Sequence, residues 1–419
     1  MDYFEIEGKN QLFGEIDISG AKNAVLPLMA ASILNNNELT ISNVPSLSDS
    51  ITMSNLLIGM GSEVDLSSNK IYINSQHLNN PYAPYDLVRT MRASFYVLGP
   101  LLAKFGEAKV SLPGGCAWGP RPVDFHIEGI KQLGATVDLE EGYIIAKSNQ
   151  LKGNKIVFPK ISVGATGNVL MASILADGDT EIHNAAAEPE IQQLCHFLNS
   201  MGAKISGIGT NILQIEGVSS LRSVDNVDVI PDRIEAGTFL IGVAATGGEV
   251  KLNKVNSDHL KTVISYLEHA NVDIKIEDNS ITILSDGNIN SYDIETNEYP
   301  GFATDLQAQW MLLMSVASGD STLKENIYFD RFNHVPELNR LGCDISVDLK
   351  TATASIKGQR KLIAANVTST DLRASACLII AALCAEGTSV INRVYHIDRG
   401  YDKIENKLSK IGAKIIRKK

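Results

Sequence analysis

One phrase recurs six times along the chain and limits the fold more than any other feature. An amphipathic helix ends in glycine and a strand follows: LIGMGSEVDL, IKQLGATVDL, FLNSMGAKIS, YLEHANVDIK, ELNRLGCDIS and KLSKIGAKII. The punctuating residues are Gly61, Gly134, Gly202, Asn271, Gly342 and Gly412, spaced about 70 residues apart, a period that marks a repeat architecture. Glycine and asparagine best tolerate the left-handed backbone that follows a helix C-terminus, so the one substitution keeps to the pattern.

A second phrase interleaves with the first: a strongly apolar helix, a turn, then a strand. The helices read NAVLPLMAASIL, ASFYVLGPLLAKF, GNVLMASILA, AGTFLIGVAATG, LQAQWMLLMSVASG and ASACLIIAALCAEG, with turn residues Asn37, Gly106, Gly178, Gly248, Gly319 and Gly387. These helices are apolar nearly all round, so they must be buried on every side. They are too short to cross a membrane. Strands such as VDLSSNKIYIN alternate and read as half exposed. The expected fold is an α/β inside-out barrel, helices inside and sheets outside, with alanine, glycine and serine allowing close axial packing. Five of the helix–glycine phrases lead into a further strand, as in LQIEGVSSLRSVDNV. The sixth ends at Lys419 without one, and the N-terminal FEIEGKNQLFGEIDI can supply it. Two domains of three repeats each follow: residues 21–229, and residues 230–419 completed by 1–20. The crossings Ser19–Lys22 and Val229–Arg233 are expected to run as paired hinge strands.

The totals exclude several classes. A net charge of -11 argues against general nucleic-acid or anionic-membrane binding. The 44% apolar and 20% charged content is that of a soluble globular protein. The start MDYFEIEGK carries no basic or apolar leader, so a cytoplasmic protein is expected. Among five cysteines without a CxxC, Cys195, Cys343, Cys377 and Cys384 read as reduced core thiols. The eight histidines form no HxxxH or Cys/His cluster, so no metal site is expected. There is no Walker A motif and no complete GxGxxG after a strand.

Charges fall at one phase of the repeat. Lys22, Arg92, Arg233, Asp305 and Arg373 each stand where an inner helix begins, and the third repeat offers Ser162 and Gly164 with Lys160 upstream. Helix N-termini favour anions. Parallel inner helices would bring three such ends to one face in each domain, and two opposed faces would make a positive cleft. Caps are normally Ser, Thr, Asp or Asn, so cations at this phase point to an anionic ligand. Asp305 is either a base for a hydroxyl or an N-cap. Arg121, Arg331 and Arg399 precede amphipathic helices. In LPGGCAWGPRPVDFH, Cys116 sits between two glycines and two prolines with Arg121 close behind. That setting suits a thiolate or proton donor, or holds an incidental loop cysteine. A transferase acting on anionic substrates fits these features, as does a non-catalytic anion-binding module.

The motifs ISGAKNAVLPLMAASIL, RTMRASFYVLGPLLA, LPGGCAWGPRPVDFHIEGI, IPDRIEAGTF, YPGFATDLQAQ, RFNHVPEL, TDLRASACL and HIDRGYDKIE span the whole chain. Together they resemble the enolpyruvyl transferases, whose two domains are inside-out α/β barrels. The GAKN, GGC…RPVD and PGFATD elements resemble the branch acting on a UDP-sugar. In the shikimate branch the first motif reads GSKS and the loop cysteine is absent. The resemblance implies transfer of the enolpyruvyl group of phosphoenolpyruvate to the 3′-hydroxyl of UDP-N-acetylglucosamine, the first committed step of peptidoglycan synthesis. It implies that Lys22 and Asn23 contact phosphoenolpyruvate and the sugar, and that Arg121 and Arg399 hold the phosphoenolpyruvate anion with Arg331 and Arg373 nearby. Arg92, Arg121, Pro122, Val123, Asp124, Phe125, Lys160, Ser162, Val163 and Gly164 would bind the UDP-sugar. Asp305 and the backbone at Ile327 would meet the sugar near its 3′-hydroxyl. Cys116 would be the proton donor on a mobile loop, open to alkylation by fosfomycin. Neither metal nor organic cofactor is implied, because phosphoenolpyruvate is itself the activated donor. Trp118 replaces a smaller aliphatic residue of the family pattern, and Phe329 stands where an acidic residue is common. A relative using another acceptor, such as shikimate 3-phosphate, and a non-enzymatic regulator binding the nucleotide sugar are the alternatives.

Overall fold

A computed structural model describes residues 2–89, 91–113 and 123–419. The chain divides into two compact units, Gly20–Ile230 and Met1–Ser19 with Pro231–Lys419.

In the Gly20–Ile230 unit the apolar segments form the inner helices Lys22–Ala31, Leu98–Phe105 and Val163–Ser173. A 3-10 turn, Arg92–Val97, leads into the second. Around them stand three four-stranded sheets of one design. In the first, Glu38–Ser42 pairs antiparallel with Lys70–Asn74, which pairs antiparallel with Glu63–Ser67. Asn226–Asp228, from the end of the unit, joins the other edge in parallel. Alternation selects the faces: Ile71 and Ile73 are buried while Lys70 is exposed.

The other unit repeats this plan with inner helices Arg233–Thr246, Gln307–Val316 and Leu372–Cys384. Its sheets need the N-terminus. Leu12–Asp17 runs parallel to Gly248–Asn253 at one sheet edge. Tyr3–Glu7 fills the gap between Thr388–Asn392 and Lys414–Lys418, antiparallel to both. Here the Ser19 carbonyl accepts from the Asp232 N–H, and in the other unit the Ile230 carbonyl accepts from the Ala21 N–H. Buried Glu235 pins the first crossing, accepting from the Ser19 N–H at 2.7 Å and from Lys407 at 2.8 Å.

The inner helices are buried all round. In Leu372–Cys384 every residue from Arg373 to Cys384 is buried. Small residues make this possible. A Cβ added at Gly99 would overlap the Asn168 carbonyl oxygen, and one at Gly237 would overlap Leu306. All six punctuating residues of the first phrase adopt left-handed φ, from 71° at Asn271 to 103° at Gly61. The second set follows at its five glycines but not at Asn37. There the helix closes with a 3-10 turn, Ser32–Leu34, and the Asn35 side chain makes the turn instead. Its Nδ2 donates to the Asn37 and Val224 carbonyls, and its Oδ1 accepts from the Val224 N–H. Cys195, Cys343, Cys377 and Cys384 are buried and unbridged. Burial pushes the Cys195 and Cys384 thiols up to about 12, so they are inert core groups.

Candidate active site

The charged residues do begin the inner helices, but they do not cap them. Asp232 caps Arg233–Thr246, accepting from the N–H groups of Ile234 and Glu235 at 2.8 and 3.1 Å. Asp371 caps Leu372–Cys384, accepting from Arg373 and Ala374 at 2.8 and 3.2 Å. Ser162 caps Val163–Ser173 through the Ala165 N–H.

Asp305 is not an N-cap. It lies in the 3-10 turn Thr304–Leu306 ahead of Gln307–Val316. Its Oδ1 is 2.8 Å from Arg331 Nη2 and its Oδ2 is 3.1 Å from Arg373 Nη2. The arginine side chains are 7% and 8% exposed and the carboxylate 27%, so solvent screens the cluster little. Burial alone would raise the Asp305 carboxyl; Arg373 and Arg331 outweigh it and hold the group well below the usual carboxylate range. Asp232 adds the field of a further carboxylate at Arg373.

Supports surround this cluster. Arg331 Nη1 donates to Thr304 Oγ1 at 2.9 Å, and Thr304 donates to Glu325 Oε2 at 3.0 Å. Fully buried Glu325 also takes the N–H groups of Ile327 and Tyr328, each at 2.9 Å. The Ile327 N–H is therefore committed within the loop. Arg399 ends the 3-10 turn Val394–Arg399 and is half-buried. Its neighbour Asp398 is gripped by Arg417 at 2.6 and 2.9 Å, and Arg417 also binds Glu405 at 3.0 Å.

In the Gly20–Ile230 unit, Lys22 opens its helix with Nζ 3.2 Å from Asp49 Oδ2, and Asn23 is half-buried beside it. Arg92 begins the 3-10 turn Arg92–Val97. Val123 precedes helix Asp124–Gln132, with Asp124 exposed and Phe125 stacked on Phe158 at 6.4 Å. The buried His126 locks this helix to the N-terminus of Val163–Ser173. Its Nδ1 lies 2.9 Å from Asn168 Nδ2, and Phe95 packs edge-on at 5.1 Å. Burial, then Arg92, pushes the imidazole down to about 3, so it is neutral and accepts from Asn168. A Cβ on Gly164 would press on the His126 ring at 3.0 Å, so glycine allows this approach. Lys160 is exposed upstream. Cys116, Arg121, Pro122 and Trp118 lie outside the described residues. Among the described residues, no group of three His, Cys, Asp or Glu side chains is placed to hold a metal ion. Among the described residues, no helix is long and apolar enough to cross a membrane.

The structure thus brings Asp305, Arg331 and Arg373 into one cluster with Ile327 on the adjoining loop. It joins the Val123–Phe125 segment to the Ser162–Gly164 helix end through His126. Sequence reasoning missed Asp49, Thr304, Glu325 and His126, which support the charged groups and the segments that carry them. Asp49 opens its repeat's amphipathic helix, a phase that could have flagged it; the others carry no period.

Residues 6–408 match the sequence pattern of the EPSP synthase (3-phosphoshikimate 1-carboxyvinyltransferase) family. The chain belongs to this family of enolpyruvyl transferases, and the inside-out α/β barrel is its fold. It is similar to the UDP-N-acetylglucosamine 1-carboxyvinyltransferase of Chlorobium limicola, with 49% identity covering 100% of this chain and 99% of the relative. It is 50% identical to the enzyme of the same name from Aliarcobacter butzleri, covering 100% of both. In fold it is similar to the enolpyruvyl transferase NikO from Streptomyces tendae, with TM-score 0.91, 22% identity and coverage of 99% and 98%. An EPSP synthase from Acinetobacter baumannii follows at TM-score 0.78 and 17% identity, covering 100% of both chains.

Proposed function

We propose that this protein transfers the enolpyruvyl group of phosphoenolpyruvate to the 3′-hydroxyl of UDP-N-acetylglucosamine and releases phosphate, committing the nucleotide sugar to peptidoglycan. Identity of 49% and 50% over the whole chain to relatives of that name carries the reading. The Asp305–Arg331–Arg373 cluster supports it, because it pairs a carboxylate with two buried cations suited to an anionic donor.

In this reading Lys22, Asn23, Arg121, Arg331, Arg373 and Arg399 hold phosphoenolpyruvate. Arg92, the segment Arg121 to Phe125, Lys160 and Ser162 to Gly164 hold the nucleotide sugar. Cys116 gives its proton to the methylene carbon of phosphoenolpyruvate, which makes the adjacent carbon electrophilic. The sugar 3′-oxygen attacks that carbon while Asp305 takes the hydroxyl proton. The tetrahedral adduct then expels phosphate and returns a methyl proton to the Cys116 thiolate, leaving the enolpyruvyl ether. Fixed arginines and Lys22 stabilise the charge that moves between these atoms. Asp305 is a poor base while two guanidiniums hold it. The negative charge of bound phosphoenolpyruvate offsets part of the field of the fixed guanidiniums, so Asp305 becomes a stronger base once the donor is bound. The place of action is the cytoplasm, in keeping with four unbridged cysteines. The acidic net charge of -11 favours neither nucleic acid nor an anionic membrane as partner.

The test is to mix the purified protein with both substrates and follow inorganic phosphate. Release that depends on both is expected. No release, with the nucleotide sugar still bound, would overturn the transferase reading in favour of a regulator.

A further inference from the structure

Behind Arg373 lies a buried chain of hydroxyl and amide groups that packing alone does not require. Tyr401, two residues past the turn Val394–Arg399, is 1% exposed. Its hydroxyl lies 2.8 Å from Thr238 Oγ1 and 3.4 Å from Arg373 Nη1, and its ring centroid is 5.8 Å from the guanidinium carbon. Thr238 Oγ1 in turn accepts from Gln309 Nε2 at 3.0 Å. Gln309 is fully buried, and its Oε1 has no hydrogen-bond partner. A half-satisfied amide in a core carries a desolvation cost that an apolar side chain avoids, so the hydrogen bond it gives Thr238 is what sets Gln309 apart from packing alone.

We infer that Tyr401, backed by Thr238 and Gln309, is a positioning residue that fixes the plane of the Arg373 guanidinium. The assignment deepens the transferase reading and rests on it. The direction of the chain follows from donor chemistry. A guanidinium and an amide nitrogen only donate, so Arg373 donates to Tyr401 and Gln309 donates to Thr238. The Tyr401 and Thr238 hydroxyls then share a hydrogen bond in which either oxygen can donate. Burial raises the Tyr401 phenol, so it stays protonated and offers Arg373 a neutral acceptor. A neutral acceptor adds no negative charge to what Asp305 and Asp232 already place near Arg373.

Arg373 is thereby held at two edges, Nη1 by Tyr401 and Nη2 by Asp305. The guanidinium cannot rotate without breaking one contact. Thr238, Gln309 and Arg373 come one each from the three inner helices of this unit. The aim of the arginine is therefore referred to all three helices at once, and not to its own backbone alone.

The experiment is steady-state kinetics on the full chain, reading phosphate release with each substrate varied in turn. Tyr401→Phe keeps the ring and removes the acceptor. Thr238→Val removes the hydroxyl at nearly constant shape, and Thr238→Ser restores it. Expected are a roughly ten- to hundredfold fall in kcat/KM for phosphoenolpyruvate in Tyr401→Phe and Thr238→Val, the range for a lost hydrogen bond to a charged group. KM for UDP-N-acetylglucosamine should stay put, and Thr238→Ser should match the wild type. If Tyr401→Phe fails to fold, the two Thr238 variants decide. Wild-type kinetics for phosphoenolpyruvate in Thr238→Val, or equal shifts for both substrates, would overturn the assignment while leaving the transferase intact. A wild type that releases no phosphate would instead sink the transferase reading and this one with it.

Discussion

Asp305 and Arg373 meet where two inner helices begin, Oδ2 lying 3.1 Å from Nη2, and the second carboxylate oxygen is taken by Arg331 at 2.8 Å. Burial disfavours the charge on Asp305, but the two guanidiniums more than compensate, so its folded pKa lies below the unfolded value. A depressed carboxylate contributes stability that is complete above the unfolded pKa of about 3.9 and fades as pH falls below it. Asp305→Asn is expected to cost about 2–4 kcal/mol at pH 7, because it leaves two buried cations without their counter-charge. The gap from wild type should stay constant from about pH 8 to pH 5 and narrow below about pH 4. Guanidinium chloride melts of both proteins across that range will show whether it does.

Cys116 has a distinct chemical signature. Serine keeps the shape but is a far weaker acid, so Cys116→Ser should lower phosphate release by about a hundredfold or more, the usual scale for a lost general acid. Time-dependent inactivation by fosfomycin should occur in the wild type and vanish in the variant. Wild-type activity that survives saturating fosfomycin would remove Cys116 from the chemistry.

His126 and His334 are both buried, and burial, assisted by Arg92 and Arg331 respectively, pushes each down to about 3. Unfolding lets each imidazole take a proton near its ordinary value of about 6.5. Stability from these groups is thus full above that value and lost as pH falls toward 3, at about 1.4 kcal/mol per pH unit for each histidine. Urea melts at pH 7 and pH 5 should show this loss. His126→Asn should remove one histidine's share of the slope in the Gly20–Ile230 unit.

Two glycines separate backbone strain from crowding. Gly134 has φ 90° and open space where a Cβ would stand, so Gly134→Ala should cost only the left-handed penalty, about 1 kcal/mol. Gly99 has no such φ, but its added Cβ would strike the Asn168 backbone, and its own N–H donates to Asn168 Oδ1 at 2.6 Å. Gly99→Ala should cost about 2–3 kcal/mol by forcing two inner helices apart. Thermal melts of the pair would reverse this order if crowding were relieved by a small helix shift.

The alternation of apolar-all-round helices with half-apolar strands was legible in the chain itself, because burial imposes a period that sequence records residue by residue. The left-handed helix ends were legible for the same local reason, down to the asparagine at 271. So was the phase of the charges, since Lys22, Arg233 and Arg373 stand in the first turn of inner helices and Arg92 opens the 3-10 turn that leads into one. The tertiary structure alone decided what those charges touch. Asp305 pairs with arginines 26 and 68 residues away, and Arg373 leans on a tyrosine 28 residues on. Asn37 kept its place in the repeat yet lost its turn to the Asn35 side chain, which reaches across to Val224. Contacts of this kind depend on how far each helix slides along its neighbour and on which rotamer then fits. Neither quantity has a period, so neither leaves a mark that the sequence alone can show.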